Sequence, residues 1–133
     1  MDCGAPERSR PRKASGRLVI EPDLGWQVNR GDVWLLDLGG RAGRRPAVIV
    51  TRQAIIPHLN KLTVAEITTA GKGYPTEVAI GHKANLAKES FVTLDNIQTV
   101  SKARFVKYVG ALDVATMRTV GRKLILALGL EDA

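Results

Sequence analysis

Short apolar runs, each stopped by glycine or proline, limit what this chain can fold into. GDVWLLDL (Gly31 to Leu38) ends at Gly39-Gly40, and AVIVT (Ala47 to Thr51) follows Pro46. LTVAEITT (Leu62 to Thr69) comes next, and TEVAI (Thr76 to Ile80) follows a Gly71-Lys-Gly-Tyr-Pro75 turn. Phe91 to Asp95, Ile97 to Val100 and Lys107 to Leu112 complete the series. Runs of this length, rich in β-branched residues, predict strands rather than helices. The short loop before Pro46 predicts an antiparallel hairpin. Pro46 lacks an amide hydrogen, so it is tolerated as the first residue of a strand, and it biases Arg45 toward extended backbone. Pro57 interrupts Gln53 to Lys61, which predicts an irregular connection there.

The period changes after Asp113. Val114, Met117, Val120, Leu124, Ala127 and Leu128 recur at helical spacing, with Asp113 placed to cap the start and Gly129 to end it. Several short strands followed by a terminal helix predict a mainly β chain with α (α+β): a small, strongly bent β-barrel of about five to seven strands with a C-terminal helix. LLDL and AVIV are continuously apolar instead of alternating, so both faces of their sheet need cover. The helix covers one face, and a second copy of the chain is a plausible cover for the other, which predicts a homodimer.

The 133 residues suit one domain with a real core, and a net charge of +7 with pI near 10.0 makes polyanions the leading partner class. Residues 1–17 carry five basic and two acidic side chains, so the remaining residues stay basic without them. We read residues 1–28 as a basic, disordered N-terminal extension and residues 29–133 as the folded domain. The lone Cys3 cannot form an internal disulfide, and no run has the length of a signal-peptide core or a membrane span. The expectation is a cytoplasmic protein that does not engage membranes.

Motifs narrow the chemistry. GGRAGRR lacks the lysine-serine ending of a phosphate-binding loop and does not open a helix. Cys3, His58 and His82 lie too far apart in sequence for a zinc site, so no metal and no cofactor is expected. The two histidines read first as solvated loop residues, with an acid–base pair acting on RNA as the alternative. Arg45, fixed beside Pro46, is the best-positioned arginine, and Arg41 and Arg44 are mobile steering charges around it. Thr51 shares strand parity with Arg45. Glu66 stands inside an apolar strand on the same face as Thr68, and a buried carboxylate there needs a cationic partner, Arg45 or another.

Taken in order, RGDVWLLDL (Arg30 to Leu38), RPAVIVTR (Arg45 to Arg52), VAEITT (Val64 to Thr69), PTEV (Pro75 to Val78), LDNIQTV (Leu94 to Val100) with a basic stretch after it, and VGAL before the helix resemble the MazF/PemK family of toxin endoribonucleases from type II toxin–antitoxin systems. The resemblance implies an SH3-like barrel, a homodimer, and metal-independent, sequence-specific cleavage of single-stranded RNA that leaves 2′,3′-cyclic phosphate and 5′-hydroxyl ends. It also implies an acidic antitoxin protein as partner. The family's arginine before proline matches Arg45 and its strand-end threonine matches Thr68, making these the expected catalytic pair.

The loop before Arg45 is shorter than in many members and lacks their acidic residue and glutamine; Glu66 is the candidate replacement carboxylate. Arg44, Thr51, Arg52, Thr69, Lys72, Asn96 and Gln98 are the expected RNA contacts, the amides reading base edges of unpaired nucleotides. Trp34, inside a strand, is expected in the core. The rival reading is a non-catalytic barrel that binds nucleic acid or inhibits a topoisomerase, as CcdB relatives do.

Overall fold

The computed structural model describes residues 27–132, so nearly all of the expected N-terminal extension lies outside the described residues. Six strands, β1 (Asp32–Asp37), β2 (Arg44–Ile49), β3 (Lys61–Thr68), β4 (Glu77–Gly81), β5 (Ser90–Ser101) and β6 (Phe105–Ala111), precede one helix, α1 (Val114–Leu128). The strands form one antiparallel sheet in the order β4-β5-β3-β2-β1-β6. The architecture is the expected α+β, and the barrel is an open one, with β4 and β6 at its edges.

Alternate residues of the central strands enter two separate cores, which explains why their sequences are apolar without a break. Val33, Val48, Ala65, Ile67 and Val92 face one way and meet Met117 and Val120 of α1. Trp34, Leu36, Ala47, Ile49 and Val64 face the other way and meet Ile56 and Phe105. Trp34 is 2% exposed and stands edge-on to Phe105 and to Tyr108, each with ring centroids 5.7 Å apart. The chain therefore fills its second face with its own residues, and a second copy is not needed there.

Three local features differ from the sequence expectation. Gln53–His58 is a short 3-10 helix despite Pro57, because its bonds run from the Ile55 and Leu59 amides to Arg52 and Ile56 and never call on the proline. The two strands expected between Phe91 and Val100 are one 12-residue strand. Its register against β3 jumps from Ala65↔Ile97 to Ile67↔Val92, so residues 93–96 bulge and leave Asp95 and Asn96 exposed. Pro46 is the third residue of β2, not the first. Leu38 donates its amide to Gly43, so Pro46, opposite Leu35, falls in a non-hydrogen-bonded pair and its nitrogen points to the side where pairing with β3 has not yet begun.

The helix ends where expected. Asp113 Oδ1 accepts the Thr116 amide at 2.7 Å, which holds the Asp113 carboxyl below its ordinary range, and Gly129 closes the helix with φ +68°. Gly110 of β6 runs against the Ala84 backbone: a Cβ there would lie 2.6 Å from the Ala84 carbonyl oxygen. Gly110→Ala is expected to destabilise the fold by about 2 kcal/mol through this backbone clash, read as a lower midpoint in urea unfolding. An unchanged midpoint would mean that the strand shifts freely.

Candidate active site

The face that carries the second core turns polar along one border. Across it, Leu36 pairs with Arg45, Ala47 with Glu66, and Val64 with Gln98. Directly paired residues project to the same side, so Arg45, Glu66 and Gln98 continue the face that Trp34, Ala47 and Val64 fill with apolar groups. The β2–β3 ladder runs to Ala47–Glu66, and the same register carried two residues further sets Arg45 across from Thr68. The observed ladder stops at Ala47–Glu66, so Arg45 and Thr68 each lie two residues beyond its last pair, on the side that Ala47 and Glu66 share.

Arg45 is exposed, yet its guanidinium is anchored. Nε donates to the Ala42 carbonyl at 3.0 Å, inside the hairpin, and among the described residues the terminal amino groups have no partner. That leaves a forked pair of donors aimed outward on a fixed stem. Thr68 accepts the Ala70 amide at 3.0 Å, which orients its hydroxyl and leaves the hydroxyl hydrogen to donate.

A groove of about 650 Å³ lies beside this border. Glu66, Asn96 and Gln98 line it together. Glu66 is half-buried, and its partner is not the expected cation: Gln98 Nε2 donates to Glu66 Oε2 at 3.1 Å. Partial exposure removes the need for a counter-ion, since water solvates the rest of the carboxylate.

Sequence parity alone placed other residues less well. Thr51 exchanges hydrogen bonds with the Thr63 backbone, 2.7 Å from its amide. Thr63 is five residues from Thr68 along β3, about 16 Å, so Thr51 and Arg52 belong to the opposite end of the sheet. Thr69 and Lys72 are exposed just beyond Thr68, where Lys72 donates its backbone amide to Glu77. Arg41 and Arg44 are exposed on the hairpin, Arg44 directly across from Asp37. Neither histidine lines the groove.

Lys61, Ser101 and Arg104 line the groove and were missed. Arg104 Nη1 donates to the Asp37 carbonyl at 3.3 Å, tying the wall of the groove to the base of the hairpin. Buried Lys102 secures the same wall by donating to the Ile56 carbonyl at 2.8 Å. The basic stretch after LDNIQTV was the available signal. Among the described residues, no three His, Cys, Asp or Glu side chains gather closely enough to hold a metal ion.

Known proteins are similar to this chain in sequence and fold. Residues 29–128 match the model of the PemK-like, MazF-like toxins of type II toxin–antitoxin systems. The chain is 35% identical over 100 residues to the probable endoribonuclease MazF5 of Mycobacterium tuberculosis, covering 74% of this chain and 91% of that one. It is 36% identical over 101 residues to endoribonuclease MazF4 of the same species, covering 76% and 92%. A solved mycobacterial endoribonuclease in complex with its cognate antitoxin superposes with a TM-score of 0.70 at 33% identity, covering 78% of this chain and 97% of that one. With its fold and the greater part of its length matched, the chain belongs to the PemK-like, MazF-like toxin family of type II toxin–antitoxin systems.

Proposed function

We propose that this chain is the endoribonuclease toxin of a toxin–antitoxin pair, acting in the cytoplasm on single-stranded RNA without a metal. The substrate carries its own nucleophile. The 2′-hydroxyl attacks the adjacent phosphorus, the bond from phosphorus to the 5′ oxygen breaks, and the proton lost from the 2′ oxygen is matched by one gained on the leaving oxygen. The products are a 2′,3′-cyclic phosphate and a 5′-hydroxyl. The protein has to hold the reacting atoms in line and stabilise charge on the phosphate.

Arg45 is the main stabiliser: an arginine stays protonated, and its free fork fits two phosphate oxygens. Thr68 donates to a third oxygen. Arg44, Thr69, Lys72, Asn96 and Gln98 contact the RNA on either side, while Thr51 and Arg52 meet a longer strand at the far end of the sheet. The observation that supports the reading is Arg45 pinned through Nε to the hairpin, its other donors unpartnered among the described residues, two residues beyond the last β2–β3 pair on the side that groove-lining Glu66 shares.

Incubating the purified chain with single-stranded RNA and EDTA tests it. Cyclic-phosphate and 5′-hydroxyl ends are expected. Intact RNA with binding retained would instead favour a non-catalytic nucleic-acid-binding or topoisomerase-inhibiting barrel.

The same reading includes an acidic antitoxin segment that competes with RNA for the cationic groove, and a homodimer. Support for the dimer comes from α1, where Ile125, Leu126 and Leu128 remain 41% to 52% exposed near Leu130, apolar surface that a second copy would cover. Leu128→Glu is expected to convert a dimer into a folded monomer in sedimentation equilibrium, and a variant that stays dimeric would move the interface elsewhere. Among the described residues, no helix is long and apolar enough to cross a membrane.

A further inference from the structure

Glu66 and Gln98 are joined in a way that fixes what the groove floor presents. A carboxylate accepts and does not donate, so the Gln98 amide must turn its Nε2 toward Glu66 Oε2, 3.1 Å away. Its carbonyl oxygen then faces away from Glu66. The carboxylate, with about four lone-pair positions, keeps most of its capacity to accept after this one bond. Both side chains line the groove, half-buried, on the face that carries Arg45. The floor is therefore a pair of acceptors with fixed orientation, while Lys61 and Arg104 supply the cations along the wall.

We propose that Glu66, oriented by Gln98, selects guanine at a nucleotide next to the scissile phosphate. This rests on the reading that the groove holds single-stranded RNA. Unpaired bases are read on their exposed Watson–Crick edges. Guanine alone places two donors side by side there, N1–H and the N2 amino group, and a carboxylate matches both. Adenine and cytosine offer one amino group next to an acceptor nitrogen, and uracil flanks its single N–H with two carbonyls. Each of these sets a lone pair against Glu66 and leaves an acceptor unpaired where the bound base shields it from water. The groove volume, about 650 Å³, is within the range of sites that enclose a drug-sized ligand, and so admits a base with its sugar. Glu66 is thus a specificity determinant and not a replacement for the acidic loop residue that the chain lacks.

The test maps cleavage sites in a random RNA pool and, in parallel, measures binding of short oligomers locked by a 2′-deoxy sugar at the scissile position. Wild-type protein is expected to cut at sites with guanine at one constant position. Replacing that guanine by inosine, which lacks the N2 amino group, is expected to weaken binding roughly 10- to 100-fold, the range of one bidentate base contact. Glu66→Gln is expected to slow cutting at guanine sites and to reduce the guanine preference by a similar factor.

Wild-type cleavage without a constant guanine, or an inosine substitution without effect, would overturn the assignment while the nuclease reading stands. A folded Glu66→Gln protein that cuts no RNA would also overturn it, since that is the signature of a carboxylate acting on the reacting atoms. Guanine-selective binding without any cleavage would keep the assignment and overturn the nuclease reading.

Discussion

Arg45→Ala is expected to lower RNA cleavage by about 10³-fold or more and to abolish growth toxicity, while the protein stays folded. Removing a single donor that stabilises a developing oxyanion costs about 10² to 10³ in rate elsewhere, and Arg45 presents two donors with a full charge. Stability should hardly change, because the side chain is exposed and the one bond it makes among the described residues, Nε to Ala42, is a local hairpin contact. Arg45→Lys is expected to recover little, since an ammonium keeps the charge but loses the anchor through Nε and the planar fork. Single-turnover cleavage of a short RNA, with circular dichroism as the control for folding, measures both variants. A folded Arg45→Ala protein with near wild-type rates would remove Arg45 from the site.

Asp32→Asn is expected to stabilise the fold at neutral pH. Asp32 opens β1 at the end away from the hairpin and is 7% exposed. Burial pushes its carboxyl from 3.8 up to about 6, against the opposing pull of the Asn29 amide, 2.9 Å from Oδ2, and of the Trp34 indole. Tyr108's own partial burial, with the nearby Asp32 charge, raises its hydroxyl. A carboxyl whose folded pKa exceeds its unfolded pKa favours folding most below the unfolded value, and that contribution is lost as pH rises from about 4 through 6. A difference of roughly two pKa units makes the ionised carboxylate a cost of about 3 kcal/mol at neutral pH. Asparagine keeps an acceptor for the Asn29 amide and carries no charge. The stability difference between variant and wild type should therefore widen between pH 4.5 and pH 7.5, in favour of the variant. Urea unfolding at the two pH values decides it, and a difference independent of pH would mean that Asp32 is not strained by ionisation.

Much of the molecule was legible in the sequence. Gly39-Gly40 and Pro75 punctuate apolar runs, and local backbone chemistry fixes where such runs stop. Asp113 and Gly129 bounded α1 for the same reason, since a cap needs only its own turn. Arg45 and Thr68 could be singled out as candidates because one precedes a proline and the other ends an apolar strand, both local features. The continuous apolar character of LLDL and AVIV correctly called for cover on both faces.

Only the tertiary structure decided what covers the second face, because Ile56 and Phe105 reach it from segments distant in sequence. The bulge of β5 is likewise a property of its pairing with β3, where Ala65 meets Ile97 and Ile67 meets Val92. Strand parity states which side a residue faces and not how far along the sheet it lies. That is why Thr51 was grouped with Thr68 and stands about five residues' length away, paired with Thr63. Lys61 was invisible for the complementary reason, and Arg104 showed only as part of a basic stretch: surface cations carry no local pattern, and the meeting of these two in one groove is a property of the fold. Glu66 spans both categories, since its sequence marked a carboxylate out of place and the fold supplied Gln98 as its partner.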